Sequence, residues 1–169
     1  MAIKNNPVTT DREDINQMRF LIEQRAEWLY EICQEAEKRE EDWEAAARAG
    51  IFTCGCRRGK RMVDGFEEKG RNLKELAGSF QNNPNTTVFE KEYITVTEDM
   101  MEVDFHYCPL VACWQKLTDD EKKIAKFCDI AMDGDRGMFS AVPDSEFILA
   151  STLAEGAPVC KMIVRKLQK

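Results

Sequence analysis

The sequence changes its hydrophobic period once, and that change limits the folds open to it. Up to the loop Gln81-Asn82-Asn83-Pro84-Asn85, rich in turn residues, apolar positions recur at helical spacing. Ile15, Met18, Ile22, Leu29, Cys33 and Ala36 fall on one face of a long helix. After the loop the period drops to two, with Val88, Ile94, Val96, Val103 and Phe105 favouring strand. Neither half has an obvious core of its own, so one domain over 1–169 is expected, helical at 10–80 and mixed at 85–169. The fold class is α+β: about four mainly antiparallel strands packed with helices on one face.

Thr10-Asp11-Arg12-Glu13 fits a capping box that opens a helix over about 11–37, after a loose tail at 1–9. A restart runs from Trp43 to Ala49, and Gly50 ends it. Ile51 to Arg61, rich in Gly, Cys and positive charge, reads as a loop, with a third helix over about 61–78. Thr97-Glu98-Asp99-Met100 turns one hairpin. Pro109 ends the second strand and opens a short helix through Trp114. Thr118-Asp119-Asp120-Glu121 caps a helix to about Asp133, which Gly134 and Gly137 break. A second hairpin joins Phe147–Leu153 to Val159–Leu167 around Glu155-Gly156-Ala157.

A chain of 169 residues can bury one sizeable core. Its net charge of −7 disfavours non-specific binding to nucleic acid, yet leaves room for a small anion at a local Arg/Lys cluster. No apolar run reaches the roughly 18 residues of a membrane span, and no basic-then-apolar leader opens the chain. The expectation is a cytoplasmic protein acting on a small molecule, without nucleic-acid or membrane partners, and with a homo-oligomer left open. Seven cysteines, an odd number, read as reduced thiols rather than as a disulfide scaffold.

The chemistry concentrates at Asp104-Phe105-His106-Tyr107-Cys108-Pro109-Leu110, which holds the only histidine. Alternation along a strand puts Asp104, His106 and Cys108 on one face. A thiol near an imidazole reads as a nucleophile, Cys108, with His106 as its proton acceptor; the plainer alternative is a half-buried cysteine beside a structural histidine. Asp129 and Asp133 lie one helical turn apart and suit acid/base work or the holding of a substrate amine, or else form a solvated acidic stripe. Arg57 and Arg58, beside Cys54-Gly55-Cys56, could fork a substrate carboxylate, or else belong to a basic connector. Trp114 is a candidate to line the substrate, with a core position as its alternative. No cofactor is expected. The alternative is zinc or an iron–sulfur cluster on His106, Cys108, Cys128 and Cys160, a set that lacks a short chelating pair.

Four pieces in order carry a resemblance: Tyr107-Cys108-Pro109-Leu110, Trp114, Phe127-Cys128-Asp129 with Asp133, and Glu155-Gly156-Ala157-Pro158-Val159-Cys160. Over roughly residues 85–165 the chain resembles the family named for L-2-amino-thiazoline-4-carboxylic acid hydrolase. The resemblance implies a hydrolase acting on a carbon–nitrogen bond of a small cyclic amidine or thiazoline ring. The positions it carries are Cys108, Cys128, Asp129, Asp133 and Cys160. The competing reading is a non-catalytic module that binds a small molecule, a metal or an iron–sulfur centre.

Overall fold

Two long helices open the chain, α1 at Glu13–Lys38 and α2 at Trp43–Asp64, followed by the shorter α3 at Leu73–Gln81 and α4 at Asn85–Val88. The strands β1 (Lys91–Val96) and β2 (Met100–Phe105) form a hairpin, and α5 (Pro109–Leu117) and α6 (Glu121–Phe139) lead to β3 (Ser145–Ser151) and β4 (Cys160–Lys166). A 3₁₀ turn at Leu153–Glu155 connects the last two strands. The structure, a computed structural model, describes residues 2–68 and 70–167. Its sheet has the order β1-β2-β4-β3, with every neighbouring pair antiparallel. The expected α+β class, the helical first half and the four strands are therefore what the chain adopts.

One face of the sheet makes the larger core. Met101 and Val103 of β2 and Met162 and Val164 of β4 pack on Leu73, Leu76 and Ala77 of α3 and on Met138 and Phe139 of α6. A second cluster joins α1, α5 and α6, with Phe127 between Tyr30, Trp43 and Trp114 at centroid distances of 5.2, 5.7 and 5.8 Å. Burial of such faces, rather than intrinsic propensity, supplies most of the helices' stability. Among the described residues no helix is long and apolar enough to cross a membrane.

Several boundaries differ from the sequence reading, for one shared reason. Ile51–Arg61 is not a loop but the continuous second half of α2, and α6 runs past Gly134 and Gly137 to Phe139. These glycines mark where α2 and α6 touch backbone to backbone: a Cβ on Gly55 would lie 2.1 Å from the Gly134 carbonyl oxygen, and one on Gly137 2.3 Å from that of Phe52. Their missing side chains permit the crossing, so they act as packing residues and not as breakers. The third helix accordingly starts at Leu73, where Asn72 accepts bonds from the N–H groups of Lys74 and Glu75. Arg12, not Thr10, stands at the N-cap of α1, without a side-chain cap bond.

The opening segment, expected as a loose tail, is pinned. Val8 and Thr9 donate their N–H groups to Glu90 Oε1 at 2.8 and 2.9 Å. Buried Arg19 reaches the same oxygen at 2.9 Å, donates to the Val88 carbonyl at 3.1 Å, and lies 4.5 Å from the Tyr107 ring centroid. Glu90 adopts a left-handed φ of 49°, a costly conformation for a non-glycine residue that these bonds hold in place.

Candidate active site

The strand that carries the histidine stops one residue short of it. β2 ends at Phe105, so the alternation of faces holds through Asp104 and then fails. Asp104 stays on the outer face, with Oδ1 3.0 Å from Lys161 Nζ. His106 is exposed as well, its Nε2 3.1 Å from Glu92 Oε2. The chain then turns, and Cys108 becomes the N-cap of α5, with Pro109 at the first helical position. Asn5 fixes that cap: its side chain accepts from the Cys108 N–H at 2.8 Å and donates to the Cys108 carbonyl at 2.9 Å.

Cys108 instead joins groups from α6 and the inner face of the sheet. Lys91 pairs with Phe105 across β1 and β2, and Phe105 with Cys160 across β2 and β4. Directly opposed residues share a face, and Cys160 alternates in phase with the core residues Met162 and Val164. Lys91 therefore turns inward, with Nζ 4.7 Å from the Phe105 ring centroid. On α6, Cys128 and Asp135 are two turns apart on one stripe.

Burial, and the charges of one another, shape the ionisation of these groups. Burial, reinforced by the Cys108 charge, pushes the Cys160 thiol up to about 12. Burial raises Cys128 well above the usual thiol range, reinforced by Cys108 and Cys160. Burial likewise raises Asp135, opposed by the positive charges of Arg58, Lys91 and Arg25. It lowers Lys91 to about 8, which the charge of Asp135 partly resists. Among the described residues, neither the Asp135 carboxyl nor the Lys91 ammonium makes a side-chain hydrogen bond or ion pair. Both keep some accessible surface, as Cys108 does.

Cys108 is the accessible thiol of the trio; Cys128 and Cys160 are buried, and Cys160 Sγ accepts from the Leu153 N–H at 3.2 Å. Burial raises Cys108 to about 11, while the N–H groups of Val111 and Leu110 at the start of α5 favour its thiolate. At neutral pH the group is a thiol. It becomes a nucleophile only by passing its proton to a neighbour, and the charge of Asp135 is felt at Cys108.

The remaining expected residues lie elsewhere. His106 lines a shallow surface hollow of about 460 Å³ with Val8, Thr9, Glu90 and Lys91, which Cys108 does not border. No hydrogen bond joins His106 to Cys108 among the described residues. Asp129 and Asp133 face α2: Arg48 holds them at 2.8 and 3.1 Å, and Arg136 at 2.6 and 2.7 Å. Despite partial burial, these guanidinium partners hold the Asp129 carboxyl below its ordinary range, the opposite of what a proton donor to a leaving nitrogen needs. Trp114 is fully buried, donating Nε1–H to the Ala26 carbonyl at 3.1 Å, and touches core rather than solvent. Arg57 and Arg58 are exposed on α2, and the charge of Arg58 reaches Asp135 and Lys91. Among the described residues no three His, Cys, Asp or Glu side chains converge to hold a metal, so the alternative ligand set is not assembled.

Sequence reasoning missed Asp135 and Lys91. The seven-residue step from Cys128 would have found Asp135. Lys91 was masked because a lysine that opens a strand is ordinarily solvated.

The family model described as L-2-amino-thiazoline-4-carboxylic acid hydrolase matches residues 19–164. Among solved structures, the chain is similar to a trafficking protein particle complex subunit 3 from Naegleria fowleri, covalently bound to palmitic acid. The identity is 19% and the TM-score 0.55, over 86% of this chain and 95% of that one, a likeness of fold alone. No curated protein matches the chain.

Proposed function

The chain belongs to the L-2-amino-thiazoline-4-carboxylic acid hydrolase family, and from that premise we propose that it opens a small cyclic amidine of thiazoline type, with Cys108 as nucleophile. One observation carries the reading: a partly accessible thiol at a helix N-terminus feels the charge of Asp135, an unpaired carboxylate that burial raises above its ordinary range. Asp135 takes the Cys108 proton, and the thiolate adds to the amidine carbon. The ring bond to that carbon breaks as Asp135 returns the proton to the departing heteroatom. Asp135 then accepts a proton from water, which attacks the sulfur-bound carbon. The carbamoyl-type product leaves, and the Cys108 sulfur recovers that proton. Each turnover thus consumes one water. Arg58 supplies positive charge for a substrate carboxylate, the role expected for Arg57 and Arg58.

The direct test is product formation from 2-amino-thiazoline-4-carboxylic acid. The wild type is expected to turn it over, and Cys108→Ser to lose several orders of magnitude in kcat. Asp135→Asn should lose about 10²- to 10⁴-fold. Full activity in Cys108→Ser would refute the covalent route.

A second reading follows from the placement of Cys108 against the apolar cluster that includes Leu110 and Met132. The Naegleria protein of like fold carries palmitic acid covalently, and a thioester on Cys108 would make this chain an acyl-binding module without turnover. An acyl mass on the purified protein, together with no activity on thiazolines, would favour it.

A further inference from the structure

Large apolar side chains lie open to solvent along α1. Trp28 is 73% exposed, Ile32 68% and Leu21 64%. With Arg25 they form one stripe at steps of four, three and four residues, on the side of the helix away from the buried Ala26, Tyr30 and Cys33. The stripe spans about 16 Å of helix. A contiguous apolar strip of this kind is uncommon on a monomer's surface and marks an interaction site.

The order of residues along the stripe says what covers it. A two-fold axis between Ala26 and Glu27 sets Leu21 opposite Ile32 of a second copy, Arg25 opposite Trp28, and Asp14 opposite Arg39. Each pairing is complementary: apolar on apolar, guanidinium on indole, acid on base. The a-to-d′ alternation of an antiparallel helix pair holds from Leu21 to Ile32, while Met18 and Glu35 mark where the apolar seam ends. A parallel pairing would set Arg25 against Arg25. An anionic lipid surface is disfavoured by the net charge of −7 and by Glu27, Glu31 and Glu35 on the same helix. We propose that α1 is the seam of an antiparallel, two-fold homodimer, with Leu21, Arg25, Trp28 and Ile32 as its contact stripe.

Sedimentation equilibrium of the whole protein, from about 1 to about 100 μM, tests this. The wild type should sediment as a dimer, and Leu21→Glu and Ile32→Lys, each alone, as monomers with unchanged circular dichroism. Arg25 is left intact because its charge also reaches Asp135. An equimolar mixture of the two variants should recover dimers. The introduced carboxylate of one chain then meets the introduced ammonium of the other at one end of the seam, and the unaltered Leu21 and Ile32 meet at the other end. A monomeric wild type, dimers that survive both substitutions, or a mixture that stays monomeric would overturn the proposal. A monomeric wild type that binds vesicles containing phosphatidylserine would assign the stripe to membrane instead.

Discussion

At the scale of single residues, the segment before β1 depends on side chains that hold its backbone. Arg19 and Glu90 form a pair whose side chains are 5% and 10% exposed. Removing one partner of such a pair strands the other charge, at about 3–5 kcal/mol. Arg19→Met should therefore lower the denaturant midpoint strongly. The double variant with Glu90→Gln should cost less than the two single changes added together.

Lys91 gives a pH signature. Its ordinary value is 10.5, and burial lowers it to about 8 in the folded chain. Between these values the unfolded chain binds more protons than the folded one, so the contribution of this group to stability rises with pH. Below about pH 8 the residue is charged in both states, and its burial destabilises the fold in full. Lys91→Met should thus be more stable than the wild type near neutrality. The gap should close by about pH 10.5, as read from urea midpoints at several pH values. A gap that stays constant with pH would place the ammonium in water.

At the scale of elements, the α2–α6 crossing decides how the charge of Arg58 reaches Asp135, because it fixes one helix relative to the other. Gly55→Ala forces a methyl against the Gly134 carbonyl oxygen, 2.1 Å away. It should cost at least the 1–3 kcal/mol, roughly, of overpacking, and Gly137→Ala should behave alike. At Gly50 the added methyl meets nothing, and alanine there should stabilise α2 by about 0.5–1 kcal/mol. Thermal unfolding of the three variants separates a packing glycine from an incidental one.

The same crossing explains what the sequence hid. Gly50, Gly55, Gly134 and Gly137 have the composition of breaks, and only the partner helix makes the last three contacts. Cys54, Cys56, Arg57 and Arg58 were legible as a basic, thiol-rich segment, yet not as a helix. The hairpins, by contrast, were plain in the period of two and in Thr97, whose hydroxyl accepts from the N–H groups of Asp99 and Met100. The Cys108-Pro109 junction was legible as a helix start through proline at its first position. The inward turn of Cys108 was not, because strand alternation was carried beyond the end of β2.

At the scale of the whole molecule, the two halves act on one set of groups. The charge of Arg58 from the helical half reaches Lys91 and Asp135 of the mixed half, where Cys108 and the buried thiols also lie. That division was visible in the change of period at Gln81–Asn85, and the family pattern in the order of its four pieces. The reach of the Asp135 charge to Cys108 was not, since it depends on how α6 lies over the sheet. The proposed passage of the Cys108 proton to Asp135 is tested most directly by mass spectrometry of protein quenched during turnover of 2-amino-thiazoline-4-carboxylic acid. The expected result is a substrate-derived adduct on the peptide containing Cys108, absent from Cys108→Ser and scarcely formed in Asp135→Asn. Turnover without any adduct in the wild type, and undiminished in Cys108→Ser, would contradict it.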